Sequence, residues 1–287
     1  MVWRAGALGD FLLTLPLLRG LRSRGQRLLL AARPEFAALL PPELTPDIFL
    51  DATGLEAARL FSPDEDPAFS SPSSPIQNPK SQITNLPALL APILPQAAFL
   101  AFNRPDAELE ARLRRAGCRE VRWIEPRPAG PTHAALAFLR DAGLPAPPDL
   151  LRTPQMPPRS GRGQALWLHP GSGSPRKHAP ISGFVRLAVR WQARGRGPIT
   201  VSFGEADAAV RGPALAALAD AGVDFRVAEG LTPAELQARL RNEARFYAGN
   251  DSGVSHLAAA NGVSSLLFFT VTAPAVWRPL GPCRCVR

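Results

Sequence analysis

The sequence predicts an α/β fold with two successive domains, and three observations support this prediction. Short apolar runs typical of strands alternate with helical segments from Val2 to Ala142, and the alternation restarts from Gln164 to Phe269. Between them, Pro145–Pro158 contains six prolines and is typical of an interdomain linker. At 287 residues the chain is long enough for two domains that each bury a core. We therefore predict two Rossmann-like domains facing one another across a cleft, over residues 1–153 and 154–287.

In the first half, each strand is followed by a segment of helical character. The predicted strands are Val2–Arg4, Arg27–Ala32, Ile48–Asp51, Ala97–Phe102 and Glu120–Glu125. The predicted helices are Phe11–Leu21, Pro34–Leu40, Thr53–Phe61, Asp106–Ala116 and Pro131–Ala142. Pro16 predicts a kink or a late start of the first helix. Ser62–Asn85 has five prolines and no hydrophobic period, so we predict a disordered insertion there.

The second half repeats this order of elements. Its predicted strands are Gln164–His169, Pro198–Phe203, Asp224–Val227, Phe246–Ala248 and Val263–Phe269. Its predicted helices are Ile181–Arg194, Pro213–Ala221, Thr232–Asn242 and His256–Ala260.

Two loops of the second half have the composition of a phosphate-binding site. The first, Pro170–Lys177, follows a strand and offers Ser172, Gly173 and Lys177, a combination that suits a diphosphate although the spacing is not that of a Walker A loop. The second, Gly249–Gly253, leads into a helix, whose N-terminal N–H groups and dipole favour an anion. The alternatives are a flexible surface loop and an ordinary, well-capped βαβ unit.

Charge is distributed unevenly along the chain. The net charge is +9, and residues 154–287 contribute +8 of it through 16 basic and 8 acidic residues. A basic second half suits an anionic ligand or an anionic membrane surface. The sequence shows no nucleic-acid-binding motif and no patch of interleaved basic and aromatic residues, so we expect no nucleic-acid partner.

Cysteine content and hydropathy indicate a protein of a reducing compartment. The three cysteines do not form a disulfide framework, Cys283 and Cys285 are predicted on one face of a terminal strand, and no metal-ligand cluster is visible. Met1–Arg4 lacks the features of a signal peptide, and prolines interrupt the most apolar window, Leu86–Phe102. We expect a cytoplasmic location, with any membrane contact peripheral, on the inner face of the cell membrane.

Three segments together resemble glycosyltransferase family 9, the ADP-heptose:lipopolysaccharide heptosyltransferases and their relatives. These segments are R-x-G-A-L-G-D-F-L-L-T-L-P-L-L at Arg4–Leu18, L-H-P-G-S-G-S-P-R-K-H-A-P at Leu168–Pro180, and G-N-D-S-G-V-S-H-L-A-A-A at Gly249–Ala260, followed by W-x-P-L-G-P. Their order and spacing cover nearly the whole chain, which makes the resemblance specific. The tryptophan usual before the proline of the second segment is Ala179 here.

The resemblance implies a GT-B fold and inverting, metal-independent transfer of a heptose-like sugar. The donor would be a nucleotide-diphosphate sugar held mainly by the second domain, and the acceptor a lipopolysaccharide or other cell-surface glycan held by the first. The roles implied are catalytic base for Asp10, phosphate binding for Lys177, ribose binding for Glu205, and donor binding for the third motif, namely Asp251, Ser252, Gly253 and His256. Asp10 begins a helix, where the dipole favours an ionised carboxylate. No cofactor is implied besides the donor substrate.

Two rival functions remain open from the sequence. The first is a non-catalytic family member that binds a nucleotide sugar or an anionic membrane surface. The second is a GT-B epimerase acting on a UDP-sugar, for which the sequence shows no motif. The presence of Asp10, Lys177, Asp251 and His256 together favours the transferase.

Overall fold

Each half of the chain forms one parallel β-sheet with helices between its strands. The structure is a computed structural model that describes residues 1–54, 57, 97–102, 104–115, 117–161 and 163–287. Among the described residues, no strand of one half pairs with a strand of the other, and the two sheets have five and six described strands. The predicted class, α/β with two Rossmann-like domains, is therefore confirmed. The boundary between residues 153 and 154 stays a prediction.

The first sheet has the strand order β3-β2-β1-β4-β5, and every described pairing in it is parallel. Its strands are β1 Val2–Arg4, β2 Leu29–Ala32, β3 Ile48–Asp51, β4 Ala97–Leu100 and β5 Glu120–Trp123. Its helices are α1 Leu8–Arg22, α2 Ala107–Arg115 and α3 Ala134–Asp141. Because β1 is central, the loop that follows it lies at the middle of the sheet's carboxyl edge, where ligands of such folds bind.

The second sheet has the order β11-β10-β9-β6-β7-β8 and is also parallel throughout its described pairings. Its strands are β6 Ala165–His169, β7 Ile199–Phe203, β8 Arg226–Glu229, β9 Ala244–Asn250, β10 Ser264–Phe268 and β11 Cys283–Val286. Its helices are α4 Ile181–Gln192, α5 Ala208–Asp220, α6 Pro233–Glu243, α7 Gly253–Ala260 and α8 Pro274–Trp277. The neighbouring strands β6 and β9 are central, so the two Gly- and Ser-rich loops that follow them lie side by side.

Proline marks the places where the predicted helices are wrong. Helix α1 starts at Leu8 and continues through Pro16, and α5 starts at Ala208 and contains Pro213. The predicted helix Pro34–Leu40 is instead a 3-10 turn over Pro34–Leu39. Leu40 precedes a proline and has extended backbone, which ends the turn.

Two predictions fall mostly or wholly on residues that the structure does not describe. The predicted helix Thr53–Phe61 is described only at residues 53, 54 and 57, and the predicted insertion Ser62–Asn85 lies entirely outside the described residues.

The two halves share a hydrophobic core, and α1 lies at its centre. This helix packs against α3 of the first half and against α7 of the second. It is therefore apolar on nearly all sides, and Phe11–Leu18 is buried without interruption. The predicted linker takes part in the core, since Leu150 and Met156 are buried in it. The linker is thus packed between the halves.

The beginnings of α1 and α7 approach one another closely, and two glycines allow it. A Cβ atom at Gly253 would lie 2.9 Å from Cβ of Leu8, and one at Gly9 would lie 3.0 Å from Cδ2 of His256. Larger residues would push the helices apart. The positive ends of two helix dipoles therefore meet at the boundary between the halves.

Candidate active site

A cavity of about 690 Å³ lies where the carboxyl edges of the two sheets face one another. The first half lines it with the loops after β1, β4 and β5, and the second half with the loops after β6, β9 and β10. It brings together seven of the nine predicted site residues: Asp10, Gly173, Lys177, Asp251, Ser252, Gly253 and His256. The other two, Ser172 and Glu205, do not line it.

Asp10 presents its carboxylate from the first turn of α1. Oδ2 accepts a hydrogen bond from the backbone N–H of Ala7 at 3.2 Å, and Oδ1 lies 3.1 Å from Nη2 of Arg4. The Asp10 side chain keeps 35% of its exposure, whereas that of Arg4 keeps only 4%. Arg4 and the N–H of Ala7 thus fix the position of the carboxylate, which remains accessible from the cavity.

Arg4 is a site residue that sequence reasoning missed. Its guanidinium also lies 4.9 Å from the ring centroid of Phe138, in cation–π contact. Burial lowers the pKa of Arg4, and the nearby Asp10 carboxylate opposes this effect. The signal available in the sequence was an arginine at the end of a short apolar strand, six residues before Asp10, because arginine is seldom buried without a partner.

Lys177, Asp251 and Thr272 form a polar cluster on the opposite wall. Nζ of Lys177 lies 2.7 Å from Oδ2 of Asp251, and Oγ1 of Thr272 donates to the same oxygen at 2.6 Å. Asp251 is buried, and Lys177 is partly exposed. A second threonine, Thr270, donates to the backbone carbonyl of Arg176 at 2.8 Å. The loop after β10 therefore holds both Asp251 and the turn that carries Lys177.

Asn250 fixes the Lys177 loop from the side of β9. Its Nδ2 donates to the carbonyl of Pro170 at 2.7 Å, and its Oδ1 accepts from the N–H of Ala179 at 3.0 Å. Asn250 is completely buried. One side chain thus holds both ends of the loop, and neither Asn250 nor Thr272 was predicted. The asparagine stands inside the G-N-D-S-G motif, which was the signal available for it.

Beneath the same loop lies a buried pair, His169 and Asp207. Nδ1 of His169 lies 3.0 Å from the carbonyl of Ser202, and Nε2 lies 3.6 Å from Oδ2 of Asp207. The same oxygen accepts from the N–H of Gly204 at 2.7 Å. A Cβ atom at Gly171 would lie 2.0 Å from Oδ1 of Asp207. Any larger residue at position 171 would therefore clash with Asp207, and the loop can pack against this pair only with glycine there.

The start of α7 supplies the anion-binding geometry that the sequence predicted. Ser252 is the N-cap, and its Oγ accepts from the N–H of Ser255 at 3.3 Å. The other N–H groups of the first turn have no partner within the helix. They point out of the helix where Ser252 and Gly253 line the cavity. An anion placed there would meet both these groups and the Lys177 ammonium.

His256 is buried one turn further along α7. Burial lowers its pKa to about 4, although Asp251 and Asp10 act in the opposite direction. The imidazole is therefore neutral at pH 7, with one nitrogen able to donate and the other able to accept.

The burial of His256 predicts a pH dependence of stability. Its pKa is about 4 in the folded state, against an ordinary value of 6.5. As pH falls from 6.5 towards 4, the unfolded chain takes up this proton and the folded one does not, so the free energy of unfolding decreases by up to about 3 kcal/mol. Denaturant unfolding at several pH values between 7.5 and 4.5 should show a shallower decrease for His256→Gln than for the wild type. Parallel curves would contradict this assignment.

The remaining two predicted residues do not line the cavity. Ser172 is buried, and its Oγ donates to the carbonyl of Ser174 at 2.8 Å, which stabilises the turn of the loop. Glu205 is exposed and begins a 3-10 turn directly after β7. Their contacts with a donor stay predictions.

Comparison with family models finds one match, which covers the second half of the chain. Residues 149–285 match the family model of glycosyltransferase family 9 (heptosyltransferase). The resemblance to glycosyltransferase family 9 is thereby confirmed. The matched region contains the second and third sequence motifs and every element that surrounds Lys177 and Asp251. The prediction of a glycosyltransferase is confirmed with it.

Solved structures of heptosyltransferases share this fold. Escherichia coli ADP-heptose lipopolysaccharide heptosyltransferase II is 16% identical, with a TM-score of 0.70, and the alignment covers 100% of this chain and 89% of that one. E. coli heptosyltransferase WaaC with ADP is also 16% identical, with a TM-score of 0.66 and coverage of 100% and 92%. The predicted GT-B fold is thus confirmed. No curated protein matches the chain by sequence.

A third structure bears on metal content. The dodecameric glycosyltransferase TibC from enterotoxigenic E. coli, described as iron-containing, is 13% identical, with a TM-score of 0.50 and coverage of 99% and 62%. Within the described part of this chain, no three His, Cys, Asp or Glu side chains are grouped so that they could hold a metal ion. Nor does any described helix combine the length and apolarity needed to cross a membrane.

Proposed function

We propose that this family 9 glycosyltransferase transfers a heptose-like sugar, with inversion, from a nucleotide-diphosphate donor to a hydroxyl of a lipopolysaccharide or other cell-surface glycan. One observation carries the proposal. A carboxylate from the first half, Asp10, and an anion site from the second half, formed by Lys177 and the start of α7, line the same cavity. A base and a leaving-group site on opposite walls are what an inverting displacement requires.

The donor diphosphate would lie against the second half. The ammonium of Lys177 has three donors, so the contact with Asp251 leaves two of them for phosphate oxygens. The free N–H groups at the start of α7 supply further donors, and the helix dipole favours the negative charge. WaaC was solved with ADP and with ADP-2-deoxy-2-fluoro heptose, which supports a donor of this class.

In the transfer step, Asp10 would accept the proton of the acceptor hydroxyl. The hydroxyl oxygen forms a bond to the anomeric carbon on the face opposite the diphosphate, and the bond from that carbon to the diphosphate breaks. Arg4 and the N–H of Ala7 hold the carboxylate in place, so that little reorientation is needed during the reaction.

Negative charge gathers on the diphosphate as its bond to the sugar breaks. Lys177 and the start of α7 would neutralise that charge, which supports a reaction without a metal ion. The neutral His256 imidazole is close enough to Asp251 and Asp10 to feel both charges, and it would bind a sugar hydroxyl or a phosphate oxygen. We assign ribose binding to Glu205 and loop support to Ser172.

Acceptor contacts belong to the first half in this proposal, through the loops that follow β1, β4 and β5. Residues 154–287 contribute +8 to the net charge and would also favour an anionic membrane surface. We therefore propose that the enzyme works at the inner face of the cell membrane, as a peripheral protein, where a glycolipid acceptor would be presented.

A two-stage assay tests the function. Thermal denaturation with ADP-, UDP- and GDP-sugars identifies the donor, because a ligand at 100 times its dissociation constant stabilises the folded state by about 2.7 kcal/mol. The identified donor is then incubated with truncated lipopolysaccharide core, and transfer is followed by mass spectrometry. Transfer with release of the nucleotide diphosphate supports the proposal. Binding without transfer to any core acceptor would support the non-catalytic alternative.

Thr272→Val should weaken donor binding without unfolding the protein. The variant removes the hydrogen bond to Asp251 and leaves this buried carboxylate with less neutralisation beside the donor phosphates. Loss of such a bond costs about 1–2 kcal/mol, or roughly 5- to 30-fold in the dissociation constant measured by calorimetry. Thr153→Val is the matched control, since Thr153 donates to the carbonyl of Asp149 outside the cavity. Equal affinities for the two variants would remove Thr272 from the donor site.

A further inference from the structure

Two cysteines on β11 form a thiol pair away from the cavity. This strand is at the edge of the second sheet and pairs with β10. Cys283 and Cys285 are two residues apart, so their side chains lie on the same face of the strand. Both are partly exposed, whereas the third cysteine, Cys118, is buried.

Arg278 provides a positive charge beside this pair. Its Nη2 lies 3.3 Å from Sγ of Cys283 and 3.2 Å from the carbonyl oxygen of the same residue. The neighbouring Cys285 thiol, followed by the charge of Arg278, lowers the pKa of Cys283 to about 6 against the opposing effect of burial. The pKa of Cys285 is raised, chiefly by the neighbouring Cys283. The positive charge of Arg278, 3.3 Å from Sγ, therefore favours the thiolate form of Cys283 over that of Cys285.

The pair is open to a reagent from solution. Both cysteines line a surface depression of about 410 Å³, together with Pro274, Ala275 and Arg278. This volume is in the range of small-molecule sites. Cys118 contrasts with the pair, because it is 3% exposed and burial raises the pKa of its thiol. The same chain thus contains a reactive pair and an unreactive reference cysteine.

We propose that Cys283 and Cys285 are a reversible oxidation site, in which Cys283 is attacked first and Cys285 resolves the adduct, with a small-molecule disulfide such as oxidised glutathione as oxidant. The Cys283 thiolate attacks one sulfur of the oxidant, forms a mixed disulfide and releases one glutathione thiolate. Cys285 then gives up its proton to solvent and attacks the Cys283 sulfur, which releases the second glutathione thiolate. Two protein thiols are oxidised, and one disulfide is reduced to two thiols.

Strand geometry makes the resulting disulfide easy to reduce. Residues two apart in a strand are separated by about 6.6 Å between Cα atoms, which is near the upper limit for disulfides. A disulfide at that limit is strained, and strained, exposed disulfides are the labile ones. The site would therefore be oxidised and reduced repeatedly.

The site lies directly behind the cavity wall. Helix α8 ends at Trp277, which lines the cavity, and the next residue is Arg278. The carbonyl of Arg278 accepts a hydrogen bond from Nε2 of His133, at the start of α3 in the first half. Oxidation of Cys283 removes the thiolate that faces Arg278, in a segment that contacts both halves. The proposal does not depend on sugar transfer.

Mass spectrometry of the full chain tests this inference. The protein is first treated at pH 7 with a small amount of iodoacetamide, and label on Cys283 is expected to exceed label on Cys285 and Cys118 by at least roughly tenfold. In a second experiment, oxidised glutathione should convert the wild type to a Cys283–Cys285 disulfide, with a loss of two hydrogens that dithiothreitol reverses. Cys285→Ser should instead accumulate the mixed disulfide at Cys283.

Cys118→Ser is the matched control and should behave as the wild type in both experiments. Equal labelling of the three cysteines would overturn the inference, as would a wild type that stops at the mixed disulfide. The wild-type peptide map decides the question even if a variant fails to fold. None of these readouts requires donor or acceptor, so they remain valid if the proposed transfer is wrong.

Discussion

Asp10→Asn is expected to lower kcat by about 10²- to 10⁴-fold and to leave donor affinity nearly unchanged. The asparagine keeps the shape of the side chain and can still accept from Ala7, but it cannot take the proton of the acceptor hydroxyl. Donor contacts are assigned to the opposite wall of the cavity, around Lys177 and Asp251. Turnover is measured with saturating donor and acceptor, and the donor dissociation constant by calorimetry.

Two controls make the Asp10 result interpretable. Glu35→Gln removes one exposed carboxylate from the same half and should leave turnover unchanged, because this residue lies outside the cavity. Thermal denaturation of Asp10→Asn checks that Arg4, which loses its charged partner, remains packed. Wild-type turnover in a folded Asp10→Asn protein would show that another group is the base.

Lys177→Ala is expected to weaken donor binding by roughly 10- to 150-fold, which corresponds to about 1.5–3 kcal/mol. The variant removes charge-assisted hydrogen bonds to the diphosphate. It also leaves the buried Asp251 carboxylate without its ion-pair partner, so that a negative charge would face the donor phosphates. We therefore expect the effect to be near the upper end of this range. Calorimetry with the identified donor measures it.

Two control variants test whether the effect on donor affinity depends on the position of Lys177 or only on the loss of a positive charge. Arg190→Ala removes one positive charge from an exposed position on α4, in the same half, and should leave the dissociation constant nearly unchanged. Lys177→Arg should retain part of the affinity, because it keeps the charge but changes the donor geometry. If Lys177→Ala binds the donor as tightly as Arg190→Ala does, Lys177 is not part of the donor site.

Local sequence patterns predicted most of the fold, and they failed where packing offset a local preference. The strands of both halves were found because parallel strands are continuous apolar runs bounded by turn residues. Helix α1 was predicted from Phe11, with a kink or a late start because Pro16 removes a backbone hydrogen bond, but the helix begins at Leu8 and continues through Pro16. In the structure, burial of Phe11–Leu18 between the halves compensates for that loss. The apolar run is visible in the sequence, but the helix of the other half that covers it is not.

The predicted site residues and the missed ones differ in what their roles require. Lys177 and Ser252 were found because a loop or a helix start has a recognisable composition even in isolation. Arg4, Asn250 and Thr272 were missed because a local sequence pattern does not show their partners. Arg4 contacts Asp10 across the turn that follows β1. Asn250 holds a loop 71 to 80 residues away, and Thr272 lies 21 residues from Asp251.

The sequence by itself therefore determined the α/β class, the two halves and the two phosphate-type loops, because these depend on apolar period and on turn and cap chemistry within short segments. Only the tertiary structure decided that the site has two walls. The close approach of α1 and α7 requires glycine at positions 9 and 253 against residues some 245 positions away in the chain. Packing of these two helices start against start places Asp10 on the same cavity as Lys177.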